Sequence, residues 1–234
     1  MKAYVINLES RADRWNSVLA QSLKLELEIV RIDALPISSI SEEKEGFVTP
    51  GVAAIWLSHQ KAMSIFLESG DTHGLILEDD FLIEKNFAHK LANISNFVNF
   101  DFIQIGYLKT SPFDAIACHV ANVVDWLLKA LAFSFKFGLL RNARISKKLL
   151  VREQVGIPAW LVVNDIRAGG HAYVVSRKFA AAVQNMNIPI FISSDGYFRA
   201  LGWMRSFSMF RFRKSSVGQS KSPSSVTNRF TSQA

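Results

Sequence analysis

The sequence predicts an α/β sandwich, and two observations carry that prediction. Short apolar runs of strand length, at residues 3–8 and 75–77, end abruptly in polar or acidic residues. Between them lie longer stretches with apolar positions at helical spacing, such as Val52, Ile55, Trp56, Met63 and Phe66. Strands that alternate with helices in this way build a sheet covered by helices, rather than a bundle or a barrel of short strands.

Residues 3–8 read as the first strand, with Asn7 near its carboxyl end. Ser10 is placed to cap a helix running to about residue 24, and Asp13 in the first turn favours its positive end. Residues 28–32 read as a second strand, and the proline-, serine- and acid-rich residues 36–50 as a loop. A helix over 51–67 carries Ser58 and His59 and stops at Gly70. Strand 75–80 follows, and its alternation puts Glu78 and Asp80 on one face and Asp79 on the other. A helix at 87–98 and a strand at 102–105 come next. Residues 169–176 read as a glycine turn entering a strand, and 177–184 as a helix. The apolar residues 189–192 lead into a polar turn, 193–196, that contains Asp195. From Ser215 the composition shifts to Ser, Lys, Gln and Thr, as in a flexible tail. Residues 1–214 accordingly read as one α/β domain with an insertion at about 115–152.

Apolar residues make up 49% of the 234 positions, enough for a substantial core. The formal charge of +7 suggests an anionic partner: a nucleotide, a phosphorylated glycan, an acidic membrane surface or a nucleic acid. The lone cysteine, Cys118, excludes an internal disulfide framework and any Cys-based zinc site. The N-terminus turns polar by Asn7 and lacks the apolar core of a secretory signal, so a cytoplasmic protein is expected. From Trp126 through Arg152 the chain has seven Lys or Arg residues and no acid, amid Phe and Leu. Such a segment is either a basic amphipathic helix lying on an anionic bilayer or an ordinary helix packed on the domain.

The chemistry concentrates at Glu78, Asp79 and Asp80. Three adjacent carboxylates repel one another, and a divalent cation such as Mg²⁺ or Mn²⁺ offsets that repulsion through oxygen ligands. The competing reading is a solvated acidic turn. Parallel α/β sheets bind ligands at the carboxyl ends of their strands, where these acids lie.

Taken in order, several segments resemble glycosyltransferase family 25, the lipooligosaccharide transferases related to collagen galactosyltransferases. They are Val5-Ile6-Asn7-Leu8 with Arg11 and Arg14, Gly51 leading to Leu57-Ser58-His59, and Leu77-Glu78-Asp79-Asp80. Gly170 through Tyr173 with Ser176, then Asp195, then Gln219 with Ser224-Ser225 complete the set. Ala54-Ile55-Trp56 departs from the Gly-Cys pair usual in that family, and 115–152 matches none of its motifs.

The resemblance implies a GT-A-like nucleotide-binding sandwich with a mostly parallel mixed sheet. It also implies transfer of a hexose, galactose or glucose, from a UDP-sugar to a hydroxyl of a lipooligosaccharide or related glycan. On that basis Asp80 is the expected ligand of Mn²⁺ or Mg²⁺, Glu78 acts through the metal or the ribose, and Asp79 contacts the nucleotide sugar or orients the cluster. Asn7, Leu8, Arg11 and Arg14 are expected to bind uracil, ribose or phosphate, unless the arginines simply lie on the helix surface. An inverting displacement needs a base for the acceptor proton, and Asp195 is the candidate, with a helix N-cap as its other reading. His171 is a candidate metal or phosphate ligand or a structural histidine, and His59 is read as a packing or hydrogen-bonding residue. The expected partners are the UDP-sugar, a glycan or lipid-linked acceptor and an anionic membrane surface, with the protein peripheral on the inner face of the membrane. Two alternatives remain: a basic nucleic-acid-binding module, which shows no recognised motif, and another metal-dependent phosphoryl-transfer enzyme, which lacks a Gly-x-x-x-x-Gly-Lys loop.

Overall fold

A computed structural model describes residues 1–23, 27–40, 48–85, 87–95, 99–107, 159–184, 186–188, 190–203 and 207–220. The strands are β1 (Ala3–Asn7), β2 (Ile29–Asp33), β3 (His73–Glu78), β4 (Phe81–Ile83), β5 (Phe102–Gly106), β6 (Leu161–Val163), β7 (Ala172–Ser176), β8 (Met209–Phe212) and β9 (Val217–Gln219). The helices are α1 (Ala12–Ser22), α2 (Pro50–Glu68), α3 (Phe87–Ser95), α4 (Arg177–Val183) and α5 (Ser194–Trp203).

The strands form one sheet in the order β2-β1-β3-β7-β5-β8-β6, with β9 paired to β5 and β4 paired to β9. β1, β2, β3, β5, β8 and β9 run one way, while β4, β6 and β7 run the other. The sheet is therefore mixed and mostly parallel, as expected. Side chains alternate across it. From β1, Tyr4 and Ile6 enter one apolar cluster with Trp56, Met63 and Phe66 of α2 and Phe179 of α4. Ala3 and Val5 enter the other, with Val18 of α1 and Phe87 and Leu91 of α3. Helices on both faces explain why β1, β5 and β7 are buried along their whole length. Fully buried Phe66 and Met63 each stabilise by ~2–3 kcal/mol relative to exposure.

Local chemistry sets the helix ends. Pro50 at the first turn of α2 carries a fixed φ suited to that position. Gly70, at φ 79°, takes the left-handed conformation just past its end. Ser176 caps α4, its hydroxyl accepting the Phe179 N–H at 3.1 Å.

Four expectations need correction. Ser10 does not cap α1, which starts at Ala12 after Arg11 and has no side-chain cap. The third strand ends at Glu78, and Asp79-Asp80 form a turn, so strand alternation does not govern the last two acids. Asp195 lies in the first turn of a ten-residue helix rather than in an isolated turn. Residues 215–220 are not tail: β9 fills a sheet position there because β4 supplies its antiparallel hydrogen bonds. Among the described residues, no helix is long and apolar enough to cross a membrane. The basic apolar segment 115–152, with Cys118, lies outside the described residues.

Candidate functional site

Strand register gathers the predicted site residues along one edge of the sheet. Ile6 is level with Glu78, and Leu77 with Ala172, so the carboxyl ends of β1 and β3 meet the start of β7. The Glu78 N–H donates to the His171 carbonyl at 2.9 Å. The acids, Asn7 and His171 thus converge from strands far apart in sequence.

Within this edge, Asp79 is held by protein. Its Oδ2 accepts from Asn7 Nδ2 at 2.7 Å and its Oδ1 from Arg14 Nη1 at 2.6 Å. Asn7 Oδ1 in turn accepts from Arg31 Nη2 at 2.7 Å, and the Arg31 guanidinium lies over Trp15. Asn7, Arg14 and Asp79 are all buried. They form a brace that fixes the loop after β1 against the acidic turn. Leu8 sits in that loop, its carbonyl accepting the Arg11 N–H at 2.9 Å. Arg11 pairs with Asp13 at 2.8 Å, and this hydrogen bond lowers the exposed Asp13 carboxyl to about 2.

Asp80 has a different environment. Burial, then the neighbouring Glu78 charge, raises its pKa to about 6, while Arg14, 3.6 Å away, pulls it back. Its Oδ2 accepts from Gln219 Nε2 at 3.3 Å, and its backbone carbonyl accepts the Ser220 N–H at 2.7 Å. Its Oδ1 is buried with no hydrogen-bond partner among the described residues. His171 is complementary. Nε2 lies 3.3 Å from the Val217 carbonyl, an acceptor only, so Nε2 carries the proton and Nδ1 keeps its lone pair. Nδ1 is likewise buried without a partner among the described residues. A Cβ at Gly106 would come 2.8 Å from His171 Nε2, so a glycine there lets the ring approach β5.

Glu78 turns elsewhere: its Oε1 lies 3.5 Å from His59 Nε2. Among the described residues, no group of three or more His, Cys, Asp or Glu is arranged to hold one metal ion. Asp80, Glu78 and His171 therefore share an edge but do not form the three-ligand set that the sequence suggested, because Glu78 is drawn toward α2. Asp80 and His171 each present a donor atom that no described residue engages, one hard oxygen and one imidazole nitrogen. An oxygen and an imidazole nitrogen are both donor types that divalent cations accept.

Asp195 is half-buried, and its two oxygens accept backbone N–H groups from Gly169 at 2.8 Å and Gly170 at 2.5 Å. The cap of α5 is Ser193, whose hydroxyl accepts from the Gly196 N–H at 3.3 Å. Burial pushes the Asp195 carboxyl above its ordinary value; the Gly169 N–H opposes this and the Glu78 charge adds to it. Asp195 thus senses the acidic edge electrostatically while clamping the loop before β7. A Cβ at Gly170 would meet Asp195 Oδ1 at 2.7 Å. Gly170→Ala is expected to destabilise by ~1–3 kcal/mol, read as a lower chemical-denaturation midpoint.

Residues the sequence reading gave no role also support the edge. Gln104 donates to the Arg167 carbonyl at 2.9 Å and accepts its N–H at 2.8 Å, anchoring the same loop. Tyr173 places its hydroxyl 2.8 Å from His59 Nδ1. A polar residue amid the apolar runs of β5 and β7 was the available signal for each.

The family model for glycosyltransferase family 25 (LPS biosynthesis protein) matches residues 1–197. The chain belongs to this family. Family membership makes it a glycosyltransferase, with the acidic turn, the brace and the Asp195 clamp all inside or bordering the matched span. No curated protein matches the chain. A solved structure titled "Crystal Structure of A197 from STIV" is similar at a TM-score of 0.46 and 14% identity, covering 93% of this chain and 83% of that one.

Proposed function

We propose that this family 25 glycosyltransferase moves a hexose, galactose or glucose, from a UDP-sugar to a hydroxyl of a lipooligosaccharide or related glycan. The observation that carries the reading is the pair of buried donors, Asp80 Oδ1 and His171 Nδ1, unpartnered among the described residues, on the carboxyl edge of the sheet. Asp80 and His171 would hold Mn²⁺ (or Mg²⁺). When bound, the cation supplies Lewis-acid neutralisation of the diphosphate leaving group.

The chain's own residues supply the rest. An ionised carboxylate only accepts hydrogen bonds, so Glu78 suits the ribose hydroxyls of the nucleotide. The Asn7–Asp79–Arg14 brace holds the loop at Leu8 and Arg11 against which the nucleotide lies. Asp195, its pKa raised by burial, takes the proton of the acceptor hydroxyl as that oxygen attacks the anomeric carbon and the diphosphate leaves from the opposite face. Two backbone N–H groups occupy one lone-pair direction on each of its oxygens and leave the others to receive the proton. The basic apolar segment near 126–152 fits attachment to the inner face of the membrane, where a lipid-linked acceptor would be met.

Calorimetric titration with UDP tests this reading. Binding is expected with Mn²⁺ present and is expected to disappear in chelator. Absence of binding in both conditions would overturn it.

A further inference from the structure

We propose that His59 is a positioning residue for nucleotide recognition: Tyr173 fixes its tautomer, and its Nε2–H holds the Glu78 carboxylate toward the nucleotide ribose. This rests on the role of Glu78 given above.

His59 lies on α2 under the sheet, with 1% of its surface exposed. Its neighbour Ser58 has an evident structural task, donating to the Ala54 carbonyl at 2.7 Å and accepting the Leu35 N–H at 2.9 Å. Nothing comparable in the backbone calls for an imidazole at 59. If volume alone mattered there, an apolar side chain would fill the space without the cost of burying two polar nitrogens.

Both nitrogens instead meet side chains. Nδ1 is 2.8 Å from the Tyr173 hydroxyl, and Nε2 is 3.5 Å from Glu78 Oε1. A neutral imidazole donates from one nitrogen and accepts at the other. A lone pair on Nε2 would face a carboxylate and be repelled, so the proton belongs on Nε2. Nδ1 then accepts, and the Tyr173 O–H donates. Tyr173 is a rigid donor because its ring is stacked on Phe102 at 5.1 Å and edge-packed on Phe198 at 5.2 Å. The relay runs from an immobile tyrosine, through a buried histidine, to a glutamate at a strand end whose side chain is 31% exposed. At 3.5 Å the contact is longer than a normal hydrogen bond, and the relay requires it to shorten when nucleotide binds.

The test compares UDP with 2′,3′-dideoxy-UDP, both titrated with Mn²⁺ present. In the wild-type chain, loss of the ribose hydroxyls is expected to weaken binding about tenfold, since hydrogen bonds to charged groups are the strong ones. Glutamine places an amide nitrogen near the position of Nε2, and asparagine near that of Nδ1. His59→Gln is therefore expected to keep the difference between the two ligands. His59→Asn is expected to reduce it to about threefold or less, and isosteric Tyr173→Phe to shrink it as well. An undiminished difference in Tyr173→Phe and His59→Asn, or a larger one in His59→Asn than in His59→Gln, would overturn the inference. Tyr173→Phe keeps the aromatic packing and decides the matter if the histidine variants do not fold. Metal-dependent UDP binding with no wild-type preference for the hydroxyls would overturn this inference alone. No UDP binding at all would overturn the proposed function.

Discussion

Asp80→Asn is expected to lower sugar transfer at least ~100-fold while leaving the folded protein as stable as wild type, or more so, near pH 7.5. The two halves of this result have one cause. Asp80 has its Oδ1 buried without a partner among the described residues, in the field of Glu78 and Asp79, and its pKa is raised from 3.8 to about 6. Because the folded value lies above the unfolded one, the protonated group contributes stability that is complete below about pH 4 and is lost as pH rises through about 6. At neutral pH the ionised side chain is a cost to the apo fold. A gap of roughly two units sets an upper limit of ~3 kcal/mol on that cost. Removing the charge relieves it, and for a chain of this size each kcal/mol moves the thermal midpoint by ~2–4 °C.

Thermal scans at several pH values check the stability half. The variant should match or exceed wild type near pH 7.5, and the difference should close toward about pH 4. A lower midpoint at neutral pH would mean that the Asp80 carboxylate braces the fold. An active Asp80→Asn would remove it from the proposed chemistry. The protein keeps a destabilising group where a bound cation would offset it, a trade common at functional sites.

Much of this fold is legible in the sequence because its central strands are short, continuous apolar runs. β1, β3, β5 and β7 are buried on both faces, and that burial leaves its mark in composition without any knowledge of partners. β4, β6, β8 and β9 are different: each has three or four residues. Runs that short carry no usable period, and β8 contains Arg211, whose charge is paired with Asp165, just past the end of β6. Their existence depends on pairings made far along the chain. Likewise, the acids were visible in the sequence, but their division of labour was not. Asp79 reads as either contacting the nucleotide sugar or orienting the cluster, and its partners come only with the fold: Asn7, 72 positions away, and Arg14, 65 positions away. Glu78 reads as acting through metal or ribose, and only the fold shows that α2 brings His59 to 3.5 Å from it. Adjacent residues of one type acquire distinct roles from contacts that local sequence does not encode.

Arg14→Met is expected to be the most destabilising of the substitutions considered, at about 3–5 kcal/mol, or a midpoint lowered by roughly 10 °C. The guanidinium lies 2.6 Å from Asp79 and 3.6 Å from Asp80, and the three side chains are 8%, 9% and 13% exposed. Methionine fills much of the volume but leaves Asp79 with the neutral amide of Asn7 and sets its charge against those of Asp80 and Glu78. The cost is that of buried anions stripped of a cation rather than of lost packing. Arg14→Lys separates the two contributions: it restores the charge without the planar guanidinium, so its midpoint should fall between those of wild type and Arg14→Met. The charge deficit also makes the damage reversible in a specific way. Mn²⁺ with UDP should raise the midpoint of Arg14→Met by more than it raises that of wild type, because the ion supplies the positive charge that edge has lost. An equal rise in both proteins would mean that the cation and Arg14 do not act on the same carboxylates, and an unchanged midpoint in Arg14→Met would remove the brace from the account of this fold.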